Sequence, residues 1–259
     1  MIKSQILNTS GEKPQVSLII PCYNEQDRIS RTLERMYEYL SGERYSWEVL
    51  VILDGSEDNT PGTVRSFEER FNGRLHVHGY PDNRGKGYAV RLGMLKARGT
   101  YRVFTDADNS TDIHYLSSML KKFKEGYEVV ISSRDKKDAP GAGQAVKQAW
   151  PKRQLGNMSN LAIQIFAVPG IWDTQNGFKG FSARAAEEIF SRSRVNRWGF
   201  DFETLAIARR LGYRLGIIPI VWRNDPKSHV KPLQYFQTLK ELLIVRLNLM
   251  RGNYDRQAK

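Results

Sequence analysis

Short apolar runs recur along the chain, and amphipathic stretches separate them. The runs predict strands at residues 16–20, 47–53, 75–77, 101–105, 128–132 and 215–221. The stretches between them have apolar residues at helical spacing, and they predict helices at 27–40, 61–71, 87–97, 113–123, 154–168, 184 onward, 197–211 and 232–250. Strands that alternate with helices in this way indicate crossover connections, so we predict an α/β fold with a mostly parallel sheet.

Two segments lack such a pattern. Residues 135–150 show little periodicity and predict a mobile loop, whereas residues 173–181 form a turn-rich segment with aromatic side chains. We predict three parts: a polar N-terminal extension at 1–14, one domain at 15–231, and an amphipathic helix with a tail at 232–259.

Composition and charge narrow the choice of partner. The 259 residues are long enough for one large α/β domain, and the net charge of +12 indicates a polyanionic partner: nucleic acid, a nucleotide or an anionic membrane surface. Cys22 is the only cysteine, which predicts a reducing, cytoplasmic location. No run approaches the ~20 apolar residues that a transmembrane helix needs.

The candidate chemistry begins with two carboxylates that directly follow the predicted strand 101–105. Asp106 and Asp108 are one residue apart, and they would repel each other in a crevice of low dielectric constant unless a cation lay between them. Oxygen ligands of this kind suit Mg²⁺ or Mn²⁺. The alternative is a simple turn whose carboxylates cap the helix predicted from Ile113.

Two other loops of unusual composition also follow strands. One contains Tyr23 and Glu25, and the other begins with Asp54. Because the carboxyl ends of parallel strands share one sheet edge, we expect all three loops to form one crevice, with a metal beside a pocket for a nucleoside diphosphate. The segment Gly85-Lys86-Gly87 is typical of a tight turn rather than of a P-loop.

A basic nucleic-acid-binding protein is the alternative from another functional class. Acidic loops would repel a phosphate backbone unless they held metal, and no recognised nucleic-acid-binding motif is present, so we expect no nucleic-acid partner.

Several motifs together resemble those of family 2 glycosyltransferases with the GT-A fold. They lie at 16–25 (Val-Ser-Leu-Ile-Ile-Pro-Cys-Tyr-Asn-Glu), 53–60 (Leu-Asp-Gly-Ser-Glu-Asp-Asn-Thr), 83–87 (Asn-Arg-Gly-Lys-Gly) and 105–108 (Thr-Asp-Ala-Asp). Two more motifs, at 173–181 and 197–203, resemble those of the dolichyl- or polyprenyl-phosphate β-glucosyltransferases and, slightly less closely, those of the corresponding mannosyltransferases. The resemblance covers residues 14–230 and implies a Rossmann-like, three-layer α/β/α domain.

The resemblance also implies roles for individual residues. Four would hold the base and ribose of the donor: Pro21, Tyr23, Glu25 and Asp54. Lys86 and Asp106 would contact the nucleotide sugar, and Asp108 would be the principal metal ligand, with Asp106 beside it.

On the acceptor side, Gln175 would face the sugar or the metal, and Arg134 and Arg153 would bind phosphate. For Arg134 the alternative is a charge at a strand end that meets only solvent. Asp201 would orient the acceptor or act as a base; the alternative is a helix N-cap.

The expected reaction is a metal-dependent, inverting transfer of glucose from UDP-glucose to a polyprenyl phosphate at the cytoplasmic face of a membrane. Transfer of mannose from GDP-mannose, or transfer to a soluble glycan, are alternatives. The amphipathic segment from residue 232 would lie on the anionic membrane surface, or it would cover the sheet or form an oligomer contact.

Overall fold

The computed structural model describes residues 13–144, 150–222 and 233–256. The strands are β1 (Val16–Cys22), β2 (Trp47–Asp54), β3 (Leu75–Tyr80), β4 (Tyr101–Phe104), β5 (Val129–Ser133), β6 (Gly143–Gln144), β7 (Lys179–Ser182), β8 (Leu215–Pro219) and β9 (Val221–Trp222). The helices are α1 (Ile29–Ser41), α2 (Thr60–Arg65), α3 (Glu68–Phe71), α4 (Lys86–Lys96), α5 (Tyr115–Lys124), α6 (Trp150–Phe166), α7 (Ala183–Phe190), α8 (Phe200–Arg210) and α9 (Leu233–Met250).

Seven strands form the central sheet in the order β3-β2-β1-β4-β7-β5-β8. All neighbours are parallel except β7, which runs antiparallel to both β4 and β5. The short strands β6 and β9 form a separate parallel pair. The predicted α/β fold with a mostly parallel sheet is therefore confirmed.

Alternation along the strands divides the core into two layers. In β1, Leu18 and Ile20 pack on the face covered by α1 and α5, whereas Ile19 packs on the opposite face with residues of α4 and α8. The helix predicted at 27–40 forms as α1, and its apolar residues at helical spacing, Ile29, Leu33, Met36 and Leu40, are all buried. Helices cover both faces of the sheet, which makes three layers.

The segment 173–181 is more ordered than the sequence indicates. Its last residues belong to β7, which lies in the middle of the sheet and pairs with two strands. Gly180 at its centre has no room for a side chain, because a Cβ there would collide with Met119 and Phe123 of α5. A strand of four residues that contains a lysine and a glycine carries no periodic signal.

Two other predicted elements differ from the structure. The helix expected at 61–71 is interrupted at Ser66 and forms α2 and α3, and the strand expected at 215–221 ends at Pro219. The mobile loop expected at 135–150 is held by hydrogen bonds in its first part, residues 135–144. The carboxylate of Asp138 accepts hydrogen bonds from the Ser133 hydroxyl and from the backbone N–H groups of Trp172 and Asp173. Residues 145–149, and nearly all of the predicted N-terminal extension at 1–14, lie outside the described residues.

The C-terminal helix α9 packs against α6 and the domain core. Leu242 and Val245 on its inner face are buried in the same apolar layer as α8. Phe236, Leu243 and Met250 on its outer face are exposed. Its amphipathic pattern therefore corresponds to one buried and one exposed apolar face.

Candidate active site

The candidate site lies at the carboxyl ends of β1, β2 and β4. The chain runs from β1 outward to β2 and β3 and then returns to place β4 on the other side of β1, so the strand order reverses there. In open α/β sheets, ligands bind outside the strand ends at this kind of reversal. The loops with Tyr23 and Glu25, with Asp54, and with Asp106 and Asp108 all start at these strand ends.

Asp54 is buried, and it fixes the turn that leads into α4. Its carboxylate accepts hydrogen bonds from the backbone N–H groups of Arg84 (2.7 Å) and Gly85 (3.0 Å) and from the side-chain amide of Asn83 (3.1 Å). Gly85 has a φ of 101°, and a Cβ there would lie 2.6 Å from the carbonyl oxygen of Asn196. The turn therefore requires glycine, and it places Lys86 at the first position of α4.

Lys86 connects the turn to the aspartate loop. Its Nζ lies 2.5 Å from Oδ1 of Asp106. Burial on its own would lower the pKa of Lys86, but the charges of Asp106 and then Asp201 raise it above its usual value. The ammonium group is therefore charged and lies among carboxylates that come from two different segments.

Asp108 lies in an environment that disfavours its ionised form. Its Oδ1 accepts a hydrogen bond from the backbone N–H of Ser110 at 2.9 Å. Burial raises the pKa of Asp108, and the charge of Asp106 raises it further. A cation between the two carboxylates would relieve both effects.

The turn interpretation of these aspartates is half correct. Asp108 does form a local turn with Ser110, and Asn109 between them has a φ of 55°. However, α5 begins at Tyr115, after His114, and the carboxylate nearest its start is that of Asp112, which accepts from the His114 backbone N–H. Neither Asp106 nor Asp108 caps the helix, so the helix-cap alternative is wrong.

The donor atoms present fit a divalent ion held partly by substrate. Among the described residues, no three His, Cys, Asp or Glu side chains converge on one point. Two carboxylates with substrate phosphates and water are a typical set for Mg²⁺. The carboxylate of Asp106 also lies against Gly177, where a Cβ would collide with it, so only glycine leaves room for that carboxylate there. Gln175, two residues earlier, is exposed.

Glu25 belongs to the loop that follows β1. Its carboxylate accepts a hydrogen bond from Nε of Arg28 at 2.7 Å, and its backbone N–H donates to Thr60. Burial raises the pKa of Glu25 to about 7; the charges of Asp108 and Asp106 add to this rise, and Arg28 opposes it. Tyr23 is 42 % exposed, and Pro21 lies within β1.

Glu25→Gln is expected to stabilise the metal-free protein at pH 8 and to have little effect at pH 4. The pKa of Glu25, about 7 in the folded protein, exceeds the ~4.3 of an unfolded glutamate. The folded state therefore binds more protons between these values, and its stability falls as the pH rises through that window. Urea unfolding of the wild type and the variant at pH 4, 6 and 8 measures the difference.

Glu57→Gln is the matched control, because Glu57 is an exposed glutamate in the neighbouring loop. A stability difference between Glu25→Gln and the wild type that stays constant from pH 4 to pH 8 would contradict this prediction.

Asp201 forms a buried ion pair with Lys179, a residue for which the sequence predicts no individual role. The Nζ of Lys179 donates to Oδ1 of Asp201 and to the carbonyl oxygen of Asn176. Burial lowers the pKa of Lys179 and raises that of Asp201. Gly199, not Asp201, is the N-cap residue of α8, so the N-cap alternative is wrong.

Arg134 is held in place by Asp173, a residue of the 173–181 motif for which the sequence predicts no individual role. Asp173 accepts from Nε (2.8 Å) and Nη2 (2.7 Å) of Arg134 and also from its backbone N–H. The guanidinium group lies over the ring of Trp222, 5.1 Å from its centroid. Burial would lower the pKa of Arg134, but the charges of Asp173 and then Asp106 raise it above its usual value.

The structure therefore brings together most of the expected residues. The charge of Asp108 raises the pKa of Glu25, that of Asp201 raises the pKa of Lys86, and that of Asp106 raises the pKa of Arg134. Residues from separate loops therefore act on one another here. Arg153 belongs to α6, and its side chain is outside the described residues.

Known proteins resemble this chain in sequence. The family model described as glycosyl transferase family 2 matches residues 17–190. A dolichyl-phosphate beta-glucosyltransferase of Trichomonas vaginalis is 36% identical over 235 residues, which cover 86% of this chain and 71% of the relative. Enzymes of the same name from Saccharomyces cerevisiae (31%; 94% of this chain, 78% of the relative) and Dictyostelium discoideum (30%; 92% and 75%) are also similar.

Solved structures resemble it in fold. Glucosyl-3-phosphoglycerate synthase from Mycobacterium tuberculosis, in complex with Mn²⁺, UDP and phosphoglyceric acid, has a TM-score of 0.66 at 17% identity and covers 90% of this chain and 78% of its own. Mannosyltransferase PcManGT from Pyrobaculum calidifontis, in complex with GDP-Man and Mn²⁺, has a TM-score of 0.58 at 19% identity, over 95% and 77% of the two chains. These similarities confirm the expected GT-A fold.

Proposed function

This chain belongs to glycosyl transferase family 2, and we propose that it transfers glucose from UDP-glucose to a dolichyl-type polyprenyl phosphate with inversion at the sugar. The observation that carries the proposal is the group formed by Asp106, Asp108 and Lys86 where the strand order reverses. The names of the similar glucosyltransferases support the donor and the acceptor.

On the donor side, Tyr23, Glu25 and Asp54 would border the pocket for the nucleoside. Asp108, with Asp106, would hold Mg²⁺ or Mn²⁺, which neutralises charge on the leaving diphosphate. Lys86 adds a fixed positive charge to the same place, and its pairing with Asp106 orients it there before the substrate arrives.

On the acceptor side, a phosphate oxygen attacks the anomeric carbon, and the bond between that carbon and the diphosphate oxygen breaks to release UDP. Arg134 binds the acceptor phosphate; Asp173 occupies its Nε and Nη2, which leaves Nη1 for the substrate. A phosphate monoester is largely ionised near neutral pH, with a second pKa of ~6. Asp201 therefore orients the reacting groups more than it removes a proton.

A thermal-shift titration tests the donor. We expect UDP-glucose with Mn²⁺ to raise the unfolding midpoint more than GDP-mannose with Mn²⁺ does, because a ligand that binds only the folded state stabilises it. A larger shift with GDP-mannose would favour the mannosyl donor. The comparison repeated with Mg²⁺ identifies the preferred metal.

The acceptor proposal requires contact with a membrane. None of the helices in the parts of the chain that the structure describes is long and apolar enough to cross a bilayer. Two helices that pack together, α6 and α9, instead expose apolar side chains, which we call the α6/α9 surface. Its members are Met158, Leu161, Ile165, Phe166, Phe236, Leu239, Leu243, Ile244, Leu247 and Met250.

The charges around this surface match an anionic lipid headgroup layer. Lys240, Arg246 and Arg251 are exposed on or next to α9. The sequences of α6 and α9 contain a single carboxylate, that of Glu241, which is only 8% exposed. We therefore propose that the α6/α9 surface lies on an anionic membrane and brings the site to its lipid acceptor.

Leu243→Glu/Leu247→Glu is expected to lower vesicle binding at least tenfold. Each leucine that enters the interface contributes about 1.5–3 kcal/mol, and a carboxylate there would repel anionic lipid. Co-sedimentation with vesicles that contain anionic phospholipid measures the change. Leu95→Glu is the control, since Leu95 is a similarly exposed leucine on α4.

Unchanged sedimentation of the double variant would refute the membrane role of this surface. A variant that loses self-association and keeps vesicle binding would identify the surface as a contact between two copies of the chain.

A further inference from the structure

The loop between α7 and α8 joins the candidate site to the C-terminal helix. We call residues 194–199 the 194–199 loop. On one side it packs on the turn that begins α4: the carbonyl oxygen of Asn196 accepts from the backbone N–H of Tyr88 at 3.0 Å, and Arg91 donates to the Asn196 side chain at 3.0 Å. A Cβ at Gly87 would lie 2.8 Å from the carbonyl oxygen of Val195, so the two segments are in close contact.

Two buried carboxylates hold the other side of this loop. Glu203 of α8 accepts hydrogen bonds from the backbone N–H groups of Arg194 (2.8 Å) and Val195 (3.0 Å) and from the hydroxyl of Tyr254 (2.7 Å). Glu241 of α9 accepts from the backbone N–H of Gly199 at 2.6 Å. The helix α9 therefore contacts the loop directly, whereas the turn that follows α9 contacts Glu203, which in turn holds the loop.

The contact between Glu241 and Gly199 is tightly packed. A Cβ at Gly199 would lie 2.8 Å from the Cβ of Glu241 and 2.8 Å from the ring of Phe202. Gln237, one turn earlier on α9, donates to the second oxygen of Glu241 at 3.3 Å. Both oxygens of the carboxylate are therefore engaged, and one of them holds the N-cap residue of α8.

The segment that Glu241 holds carries groups of the active site. Trp198 precedes Gly199, and Nζ of Lys86 lies 6.0 Å from the centroid of its ring. Phe200 follows, with its ring at the same distance from Nζ, and Asp201 comes next. A shift of Gly199 would therefore move three side chains that surround the Lys86 ammonium group.

We propose that Glu241 is a positioning residue: from the inner face of α9 it fixes the start of α8 and, through it, the positions of Trp198 and Asp201 around Lys86. The effect on transfer rests on the proposed function, whereas the effect on the position of the loop does not. The helix that exposes the α6/α9 surface thus also holds part of the site.

Three variants test this role. Glu241→Ala removes the acceptor of the Gly199 N–H. Glu241→Gln keeps one, because the carboxamide oxygen can face Gly199 while its NH₂ faces Gln237, whose own amide can turn to accept. Val245→Ala is the control: Val245 is fully buried on the same face of α9 and outside the loop contact.

We expect Glu241→Ala to lower kcat for glucosyl transfer at least tenfold, because Trp198 and Asp201 would no longer be held in place around Lys86. Glu241→Gln should keep kcat within threefold, and so should Val245→Ala. Transfer by Glu241→Ala within twofold of the wild type would overturn the proposal. An equal loss in Glu241→Gln or Val245→Ala would do the same.

Hydrogen exchange gives a readout that does not need activity. Peptides that cover the 194–199 loop should exchange at least tenfold faster in Glu241→Ala than in Val245→Ala. Equal exchange in the two variants would overturn the positioning role. A wild-type protein that transfers glucose to no acceptor would instead contradict the proposed function, and the exchange experiment would still decide the role of Glu241.

Discussion

Asp108→Asn is expected to lower glucosyl transfer by about 10³-fold or more and to leave the unfolding midpoint unchanged or higher. The loss follows from removing the negative ligand that would hold the divalent ion at the leaving diphosphate. The stability follows because burial and the charge of Asp106 raise the pKa of Asp108, so the ionised form is unfavourable in the metal-free fold. Steady-state kinetics and thermal unfolding without metal measure the two effects.

Asp112→Asn is the matched control, because Asp112 lies in the same loop and pairs with the exposed His114. It should transfer glucose at nearly the wild-type rate. If Asp108→Asn instead unfolds readily and its folded fraction stays active, Asp108 is a structural turn residue and the metal interpretation fails.

Lys179→Met is expected to lower the free energy of unfolding by about 3–5 kcal/mol, which is typical when one partner of a buried ion pair is removed. Lys179 is fully buried, and Asp201 is only 3 % exposed, so the remaining carboxylate would have neither its cation nor water. Chemical denaturation measures the loss.

Removing both charges separates stability from catalysis. In Lys179→Met/Asp201→Leu no unpaired charge remains, and most of the lost stability should return. Transfer should stay at least 100-fold below the wild type, since Asp201 is one of the carboxylates that act on Lys86. A double variant that recovers stability and also transfers glucose would show that Asp201 has only a structural role.

Much of the donor side can be predicted from the sequence because its signals are local. A strand such as β1 is a continuous apolar run, and the polar residues that follow it must lie at the sheet edge. The face of α1 is likewise encoded by Ile29, Leu33, Met36 and Leu40 at helical spacing. These rules place Glu25, Asp54, Asp106 and Asp108 together without knowledge of any tertiary contact.

The acceptor side depends on pairs that are distant in sequence. Lys179 can be buried in β7 only because Asp201, 22 positions later, neutralises it. Arg134 is fixed by Asp173, 39 positions later. Neither pair follows a period or a spacing rule. Asp173 and Lys179 lie in the 173–181 motif, but the motif does not say which residues they pair with.

The C-terminal helix shows the limit of an amphipathic pattern. The sequence indicates an apolar face but not which partner covers it, and α9 in fact has a buried face towards the core and an exposed face beside α6. The contact between Glu241 and Gly199 joins positions 42 residues apart through a single hydrogen bond. Only the folded structure reveals it.

Product analysis of one reaction tests whether this chain transfers glucose to a lipid-linked phosphate. Purified protein is incubated with UDP-glucose, a polyprenyl phosphate in detergent and Mn²⁺, with phosphoglyceric acid and soluble sugars as parallel acceptors. We predict a β-linked glucosyl polyprenyl phosphate, formed with one UDP released per glucose. It should be lost on chelation of the metal and in Asp108→Asn. Glucose transferred only to the soluble acceptors, or no lipid-linked product under any metal condition, would contradict this prediction.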